Sequence, residues 1–200
     1  KYQISILLPA ILTGLITQVP VDEIQKALED FKLPPGRMSL IKGIKNTLII
    51  DSSYNASPQA VKEAVKILDF FGKKRNKRRV FVFGNMNELG KYSKDLHEEV
   101  GKEIPKYTDI LITVGEESIK YAAKSAIKNG LFSENVHSFA NAHEAIKHYK
   151  KIMQSGDVIL VKGSQNKVRL EIFVKAMMAN PTEAPEKLVR QDTNWQNIKL

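Results

Sequence analysis

From residue 37 onward, short runs of β-branched and aromatic residues alternate with amphipathic stretches of about ten residues, a rhythm that few folds can accommodate. The strand-like runs are 37–44, 48–50, 80–83, 110–114, 136–139 and 158–161, and the helix-like stretches are 58–70, 94–103, 117–128, 142–153 and 167–178. Strands that lack polar alternation are buried on both faces, and parallel strands need helical crossovers to return the chain. The pattern therefore predicts an α/β fold: a Rossmann-like three-layer domain with a mostly parallel sheet.

Ahead of it lie two helical patterns, an apolar one over 4–16 and an amphipathic one over 21–31 with Ile24, Ala27, Leu28 and Phe31 on one face. Pro34-Pro35-Gly36 cannot continue a helix and reads as a linker. The expected organisation is 1–35 as the closing helices of another domain plus linker, 36–180 as the α/β domain, and 181–200 as a partly ordered tail. Lys1 is not preceded by a methionine, so the chain is expected to begin inside a longer protein. The 4–16 run is broken by Pro9 and Gly14 and falls short of the roughly 20 apolar residues of a membrane span, so no membrane partner is expected.

In open α/β sheets ligands bind outside the carboxyl ends of the strands, so the polar residues there are the candidates for chemistry. The sharpest such corner is Leu48-Ile49-Ile50-Asp51-Ser52-Ser53-Tyr54-Asn55-Ala56-Ser57-Pro58, a buried strand ending in an acid and turning into a helix with Ser57 as N-cap and Pro58 at its first position. The other loops on that edge would be 84–90, 115–118 and 162–165. Lys162-Gly163-Ser164 offers an ammonium, backbone N–H groups and a hydroxyl, the donor set of an anion cradle. The Gly-x-x-x-x-Gly-Lys-Ser/Thr P-loop is absent, as are a Gly-x-Gly-x-x-Gly turn and a Gly-x-Ser-x-Gly elbow. Glu98 and Glu99, beside His97 on a helix, read as a solvated face.

With no cysteine there is neither a disulfide nor a thiolate metal site, and His143 and His148 miss the i, i+4 spacing, so no metal site is expected within this chain. The net charge of +9 points to anionic partners. Its densest run, Lys73-Lys74-Arg75-Asn76-Lys77-Arg78-Arg79, lacks interleaved aromatic residues and reads as a solvated loop, not as a nucleic-acid site.

Taken in order, Gly36-Arg37-Met38, Asp51-Ser52-Ser53-Tyr54-Asn55-Ala56-Ser57-Pro58, Gly84-Asn85-Met86-Asn87-Glu88-Leu89-Gly90, Leu96-His97-Glu98-Glu99-Val100-Gly101 and Gly156-Asp157-Val158-Ile159-Leu160-Val161-Lys162-Gly163-Ser164 resemble the C-terminal domain of the Mur ligase family. The Tyr-Asn-Ala-x-Pro and x-Glu-Leu-Gly pieces are most similar to the branch that adds D-alanyl-D-alanine to UDP-N-acetylmuramoyl-tripeptide in peptidoglycan synthesis. The resemblance implies a cytoplasmic, bacterial, ATP- and Mg2+-dependent amide ligase, monomeric, with nucleotide and metal held mainly by a central ATPase domain of which 1–35 would be the end. The chemistry it implies is phosphorylation of a carboxylate by ATP and attack of an amine on the acyl phosphate, with an arginine balancing phosphoryl charge and closure excluding water.

By the same likeness Arg37, Asp51, Ser52, Tyr54 and Asn55 would face the nucleotide, and Asn85, Glu88, Lys162 and Ser164 the substrates. The sequence departs from the family pattern at Ser52 and Asn85, where acids are usual, and at Gln3 and Ile6, where asparagines are common. Lacking a P-loop, the 200-residue chain alone is expected to be inactive. Other readings are a different Mur-type ligase (tripeptide-forming, folylpolyglutamate or cyanophycin synthetase) and a stand-alone nucleotide or nucleic-acid binding module. The Asp-Asn-Pro-Arg motif expected of the diaminopimelate-adding branch is absent.

Overall fold

The computed structural model describes residues 4–31, 33–165 and 168–196. Two compact units result, Lys1–Leu33 and Pro34–Leu200. The first holds α1 (Ile4–Ile16) and α2 (Val21–Asp30). Ile24 Cδ1 lies 3.0 Å from where a Cβ on Gly14 would stand, so that glycine lets the two helices approach. Ile24 and Leu28 form a half-buried stripe on α2, whereas Ala27 and Phe31 are exposed, a narrower face than periodicity predicts. No described helix is long and apolar enough to cross a membrane. The family departure at Gln3 lies outside the described residues.

The second unit contains a six-stranded sheet made of β1 (Ser39–Lys42), β2 (Leu48–Ser52), β3 (Arg79–Gly84), β4 (Ile110–Val114), β5 (Val136–Phe139) and β6 (Val158–Lys162), in the order β1-β2-β6-β3-β4-β5. All neighbours run parallel except the edge strand β1, which is antiparallel to β2. The strand expected over 37–44 shortens to β1 because Gly43 begins a tight turn in which Lys45 and Asn46 both take positive φ.

Alternation along the strands sorts the core into two layers. Ile49, Val80, Val82, Ile112, Ile159 and Val161 face one side, packed with Tyr149 of α6 (Ala142–Ile152) and with Phe173 and Val174 of α7 (Glu171–Met177). Ile50, Phe81, Phe83, Leu111 and Leu160 face the other, packed with Val61, Ala64, Val65 and Leu68 of α3 (Pro58–Arg75) and Val100 of α4 (Ser93–Glu103). The crossover from β4 to β5 is a π-helical stretch, Ser118–Ala123, running into α5 (Lys124–Lys128), not one α-helix over 117–128. The last long helix, expected over 167–178, is α7; its predicted start at Lys167 lies outside the described residues.

Ser57 Oγ accepts from Ala60 N–H at 3.4 Å with Pro58 next, as its residue types require. α3 outruns its expected end near residue 70 because Gly72 leaves room for the Arg79 side chain: a Cβ there would stand 2.4 Å from Arg79 Cγ. The basic run is exposed over 73–77, but its first three residues are helix and not loop. Lys73, Lys74 and Arg75 occupy the last turn of α3, where cations suit the helix dipole, and Asn76 caps it in the left-handed region. Arg78 bonds Asp157 at 3.0 and 2.8 Å, while Arg79 pairs with Asp69 and Asp109.

The 181–200 stretch, read above as a partly ordered tail, is packed over the part described. Ala184, in α8 (Ala184–Lys187), is fully buried, Leu188 nearly so, and both join the α6–α7 layer. A last turn, α9 (Thr193–Gln196), follows. Composition predicts exposure here; two apolar contacts and, as shown below, an arginine decide otherwise.

Candidate functional site

β2 and β3 lead into α3 and α4 on one face, whereas β6, which lies between them, leads to α7 on the other. The chain therefore diverges to opposite sides at the carboxyl end of β6, the topological switch point where a crevice forms in such sheets. Three loops meet there, 53–57, 85–92 and 163–165.

Ser164 joins them. Its hydroxyl donates to Asn55 Oδ1 at 2.9 Å and accepts the Asn87 N–H at 3.0 Å, while its own N–H donates to the Asn85 carbonyl at 2.8 Å. Asn85 reaches the β4 loop through its Oδ1, which accepts Ser118 N–H at 3.0 Å. Gly163 permits the approach, since a Cβ on it would stand 3.0 Å from Gly84 Cα.

The register sets Ser52, Lys162 and Phe83 side by side in one row and Asp51, Val161 and Val82 in the row before it. Because neighbouring positions on a strand point to opposite faces, Asp51 and Lys162 are directed to different sides of the sheet. Lys162 Nζ donates to Ser52 Oγ and to the Asn55 carbonyl, both at 3.0 Å, and the residue is buried. Burial pulls its pKa down to about 8, with Arg37 adding repulsion and Asp51 opposing. On the other face Asp51 is wholly enclosed; its Oδ1 accepts the Ser53 N–H at 3.0 Å and its Oδ2 is unpaired among the described residues. Desolvation pushes its pKa up to about 6 against those Ser53 bonds.

The expected site residues thus separate into three groups. Arg37, Tyr54 and Asn55 are exposed and adjacent: the Arg37 guanidinium lies 4.3 Å over the Tyr54 ring, and Gly36, at φ +71°, accepts the Tyr54 N–H at 3.2 Å. Asp51, Ser52, Lys162 and Ser164 are buried and half-buried Asn85 is bonded to the neighbouring loop, so all five build the crevice wall. At the anion cradle expected over 162–164, the Lys162 ammonium gives two bonds, to Ser52 and Asn55, and the Ser164 hydroxyl donates to Asn55. Glu88 is exposed in the 85–92 loop, with φ +64°.

Two further features escape a reading of the sequence. His97, next to glutamates taken as a solvated face, is fully buried; its Nε2 accepts the Met86 N–H at 3.0 Å and its Nδ1 pairs with the Ser93 carbonyl at 2.8 Å. Arg169, Glu171 and Arg190 form a buried triad, with Glu171 Oε1 accepting from Arg169 Nε at 2.9 Å and Oε2 from Arg190 Nη1 at 3.1 Å. No local pattern marks His97 as buried, and nothing in composition ties Arg190 to residues so far back in the chain. Among the described residues no group of three or more His, Asp or Glu side chains gathers as a metal site.

A model of the family described as Mur ligase, glutamate ligase domain, matches residues 36–165. The UDP-N-acetylmuramoyl-tripeptide--D-alanyl-D-alanine ligase of Bacillus subtilis (strain 168) is 29% identical over 185 residues, which is 90% of this chain and 39% of that protein. Its namesake from Escherichia coli (strain K12) is also 29% identical, over 91% of this chain and 38% of its own length. Among solved structures, a crystal structure of MurF from Acinetobacter baumannii superposes with a TM-score of 0.67 at 26% identity, covering 84% of this chain and 35% of that one. MurF ligase from Thermotoga maritima in complex with ADP gives 0.58 at 26% identity, over 74% and 31%. The chain spans about two fifths of the length of the curated relatives it matches.

Proposed function

Because this chain belongs to the Mur ligase family, we propose that it is the nucleotide-closing part of an ATP-dependent amide ligase that joins D-alanyl-D-alanine to UDP-N-acetylmuramoyl-tripeptide in the cytoplasm. The observation that carries this reading is the exposed Arg37–Tyr54–Asn55 rim, standing at the switch point over a wall of interlocked loops. A cation beside an aromatic face and an amide suits a nucleotide, whose phosphates take the charge and whose base or ribose takes the flat and polar partners.

In that role the arginine would balance charge on the transferring phosphoryl group, and the rigid wall would fix where the rim stops when the domain closes. Closure keeps water from the acyl phosphate. Asp51 and Ser52 serve from behind the rim, since both are buried. Magnesium supplies charge neutralisation when bound with ATP; we assign none of its ligands to the described residues, among which no such cluster exists.

The test is phosphate release by the full-length protein with UDP-N-acetylmuramoyl-tripeptide, ATP and magnesium, run against a panel of amines. D-alanyl-D-alanine-dependent release supports the proposal; release with another amine, or none, overturns it. The 200-residue chain alone should show no turnover.

A further inference from the structure

Arg190 makes an unusual set of contacts for a residue so near the end of the described chain. Its guanidinium is buried, donating from Nη1 to Glu171 Oε2 at 3.1 Å and to the Ser53 carbonyl at 3.2 Å, and from Nη2 to the Tyr54 carbonyl at 2.8 Å. Trp195 lies against it and against Arg169, with ring centroids 5.6 and 5.7 Å from the two guanidinium carbons, and its carbonyl accepts from Arg169. Both arginines stand at positive φ, 47° for Arg169 and 57° for Arg190, a backbone conformation that costs a side-chain-bearing residue free energy.

A buried Arg–Glu–Arg set is a poor device for stability alone, because taking three charges out of water offsets most of their attraction. What it secures here is geometry. The two carbonyls held by Arg190 belong to the residues on which the rim depends: Tyr54 carries the Arg37 guanidinium on its ring, and its N–H is bonded to Gly36. Val189, the neighbour of Arg190, stands 3.0 Å from where a Cβ on Gly36 would lie, so the same segment also closes over the start of the domain.

We propose that Arg190, fixed by Glu171 and covered by Trp195, is a positioning residue for the nucleotide rim: the 188–195 segment clamps the backbone of 53–54 and thereby sets Tyr54 and Arg37. This rests on the reading of that rim as nucleotide-facing. The clamp binds no substrate itself and acts through the loop.

Arg190→Gln and Arg190→Lys test it with two readouts. The first is amide hydrogen exchange over 51–57 in the 200-residue chain, which needs no nucleotide. The second is the KM for ATP, the KM for UDP-N-acetylmuramoyl-tripeptide and kcat in the full-length enzyme. Arg190→Gln is expected to speed exchange over 51–57 at least tenfold and to raise the KM for ATP about tenfold, leaving the KM for the tripeptide within twofold. Arg190→Lys, which keeps the charge beside Glu171 but not the fork, should fall between. Unchanged exchange over 51–57 overturns the clamp, as does a loss of kcat with no change in the KM for ATP. Faster exchange in Arg190→Gln, combined with a wild-type full-length enzyme that uses no ATP, would instead sink the nucleotide reading and leave the clamp standing. If Arg190→Gln does not fold, Arg190→Lys is judged by the same two criteria.

Discussion

The Met86 N–H donates to Nε2 of His97 at 3.0 Å, which ties the loop after β3 to the interior of α4. With Nε2 accepting, the ring proton sits on Nδ1 and is given to the Ser93 carbonyl at 2.8 Å. The imidazole is thus held neutral, and burial keeps its pKa below the ordinary histidine value.

Replacing His97 with Ala should leave a buried N–H unpaired and cost about 1–3 kcal/mol. The pH dependence is specific. A folded pKa below the unfolded one means that the unfolded chain gains a proton the native state resists, so this stabilisation is lost as pH falls through the unfolded value near 6.5. Urea unfolding of wild type and His97→Gln at pH 7.5, 6.0 and 5.0 should show their difference shifting against the wild type in acid. A difference constant across that range would show that His97 does not stay neutral.

Asp51 carries the opposite sign. Its pKa is raised to about 6, so burying the carboxylate costs on the order of 3 kcal/mol above that pH, and the native state is favoured again as pH falls toward 3.8. Asp51→Asn, which can still accept the Ser53 N–H, should be more stable than wild type at pH 7.5, with the gain vanishing below about pH 4. Thermal unfolding at the two pH values decides it, and a variant less stable at pH 7.5 would show that the charge is needed.

Lys162 faces a hydroxyl at Ser52. Its depressed pKa makes the buried ammonium costly below pH 8, and stability should rise as pH climbs from about 8 toward 10.5. Ser52→Asp puts a carboxylate within reach of that ammonium. The variant is expected to gain about 1–3 kcal/mol at pH 7.5 and to lose the alkaline rise, as read from melting curves. Loss of stability at pH 7.5 would refute the pairing.

Gly36 has φ +71°, and a Cβ would lie 3.1 Å from Tyr54 N and 3.0 Å from Val189. Gly36→Ala should therefore cost about 1–2 kcal/mol of backbone strain alone. It should also loosen the Gly36–Tyr54 hydrogen bond. Calorimetry gives the first effect and hydrogen exchange at Tyr54 the second; a melting temperature equal to wild type would show the site tolerates a side chain.

Much of the architecture is legible in residue order. Apolar runs such as 158–161 and 110–112 are buried throughout because strands covered on both faces carry near-continuous apolar residues. Ser57-Pro58 marks a helix start by local chemistry alone, and the interval between Ile50 and Pro58 already locates the loop beside the crevice. Such features depend on neighbours in the chain, so the chain shows them.

What only the tertiary structure decided is which polar groups face the crevice and which support it. The two-residue period of β2 sends Asp51 and Ser52 to opposite faces, and only the pairing of β2 with β6 brings Lys162 beside Ser52 and away from Asp51. Arg190 reaches Ser53 and Tyr54 because α7 and the segment after it fold back over the sheet edge. Such contacts join residues far apart in the chain, and their stability comes from desolvation and geometry that no local pattern records.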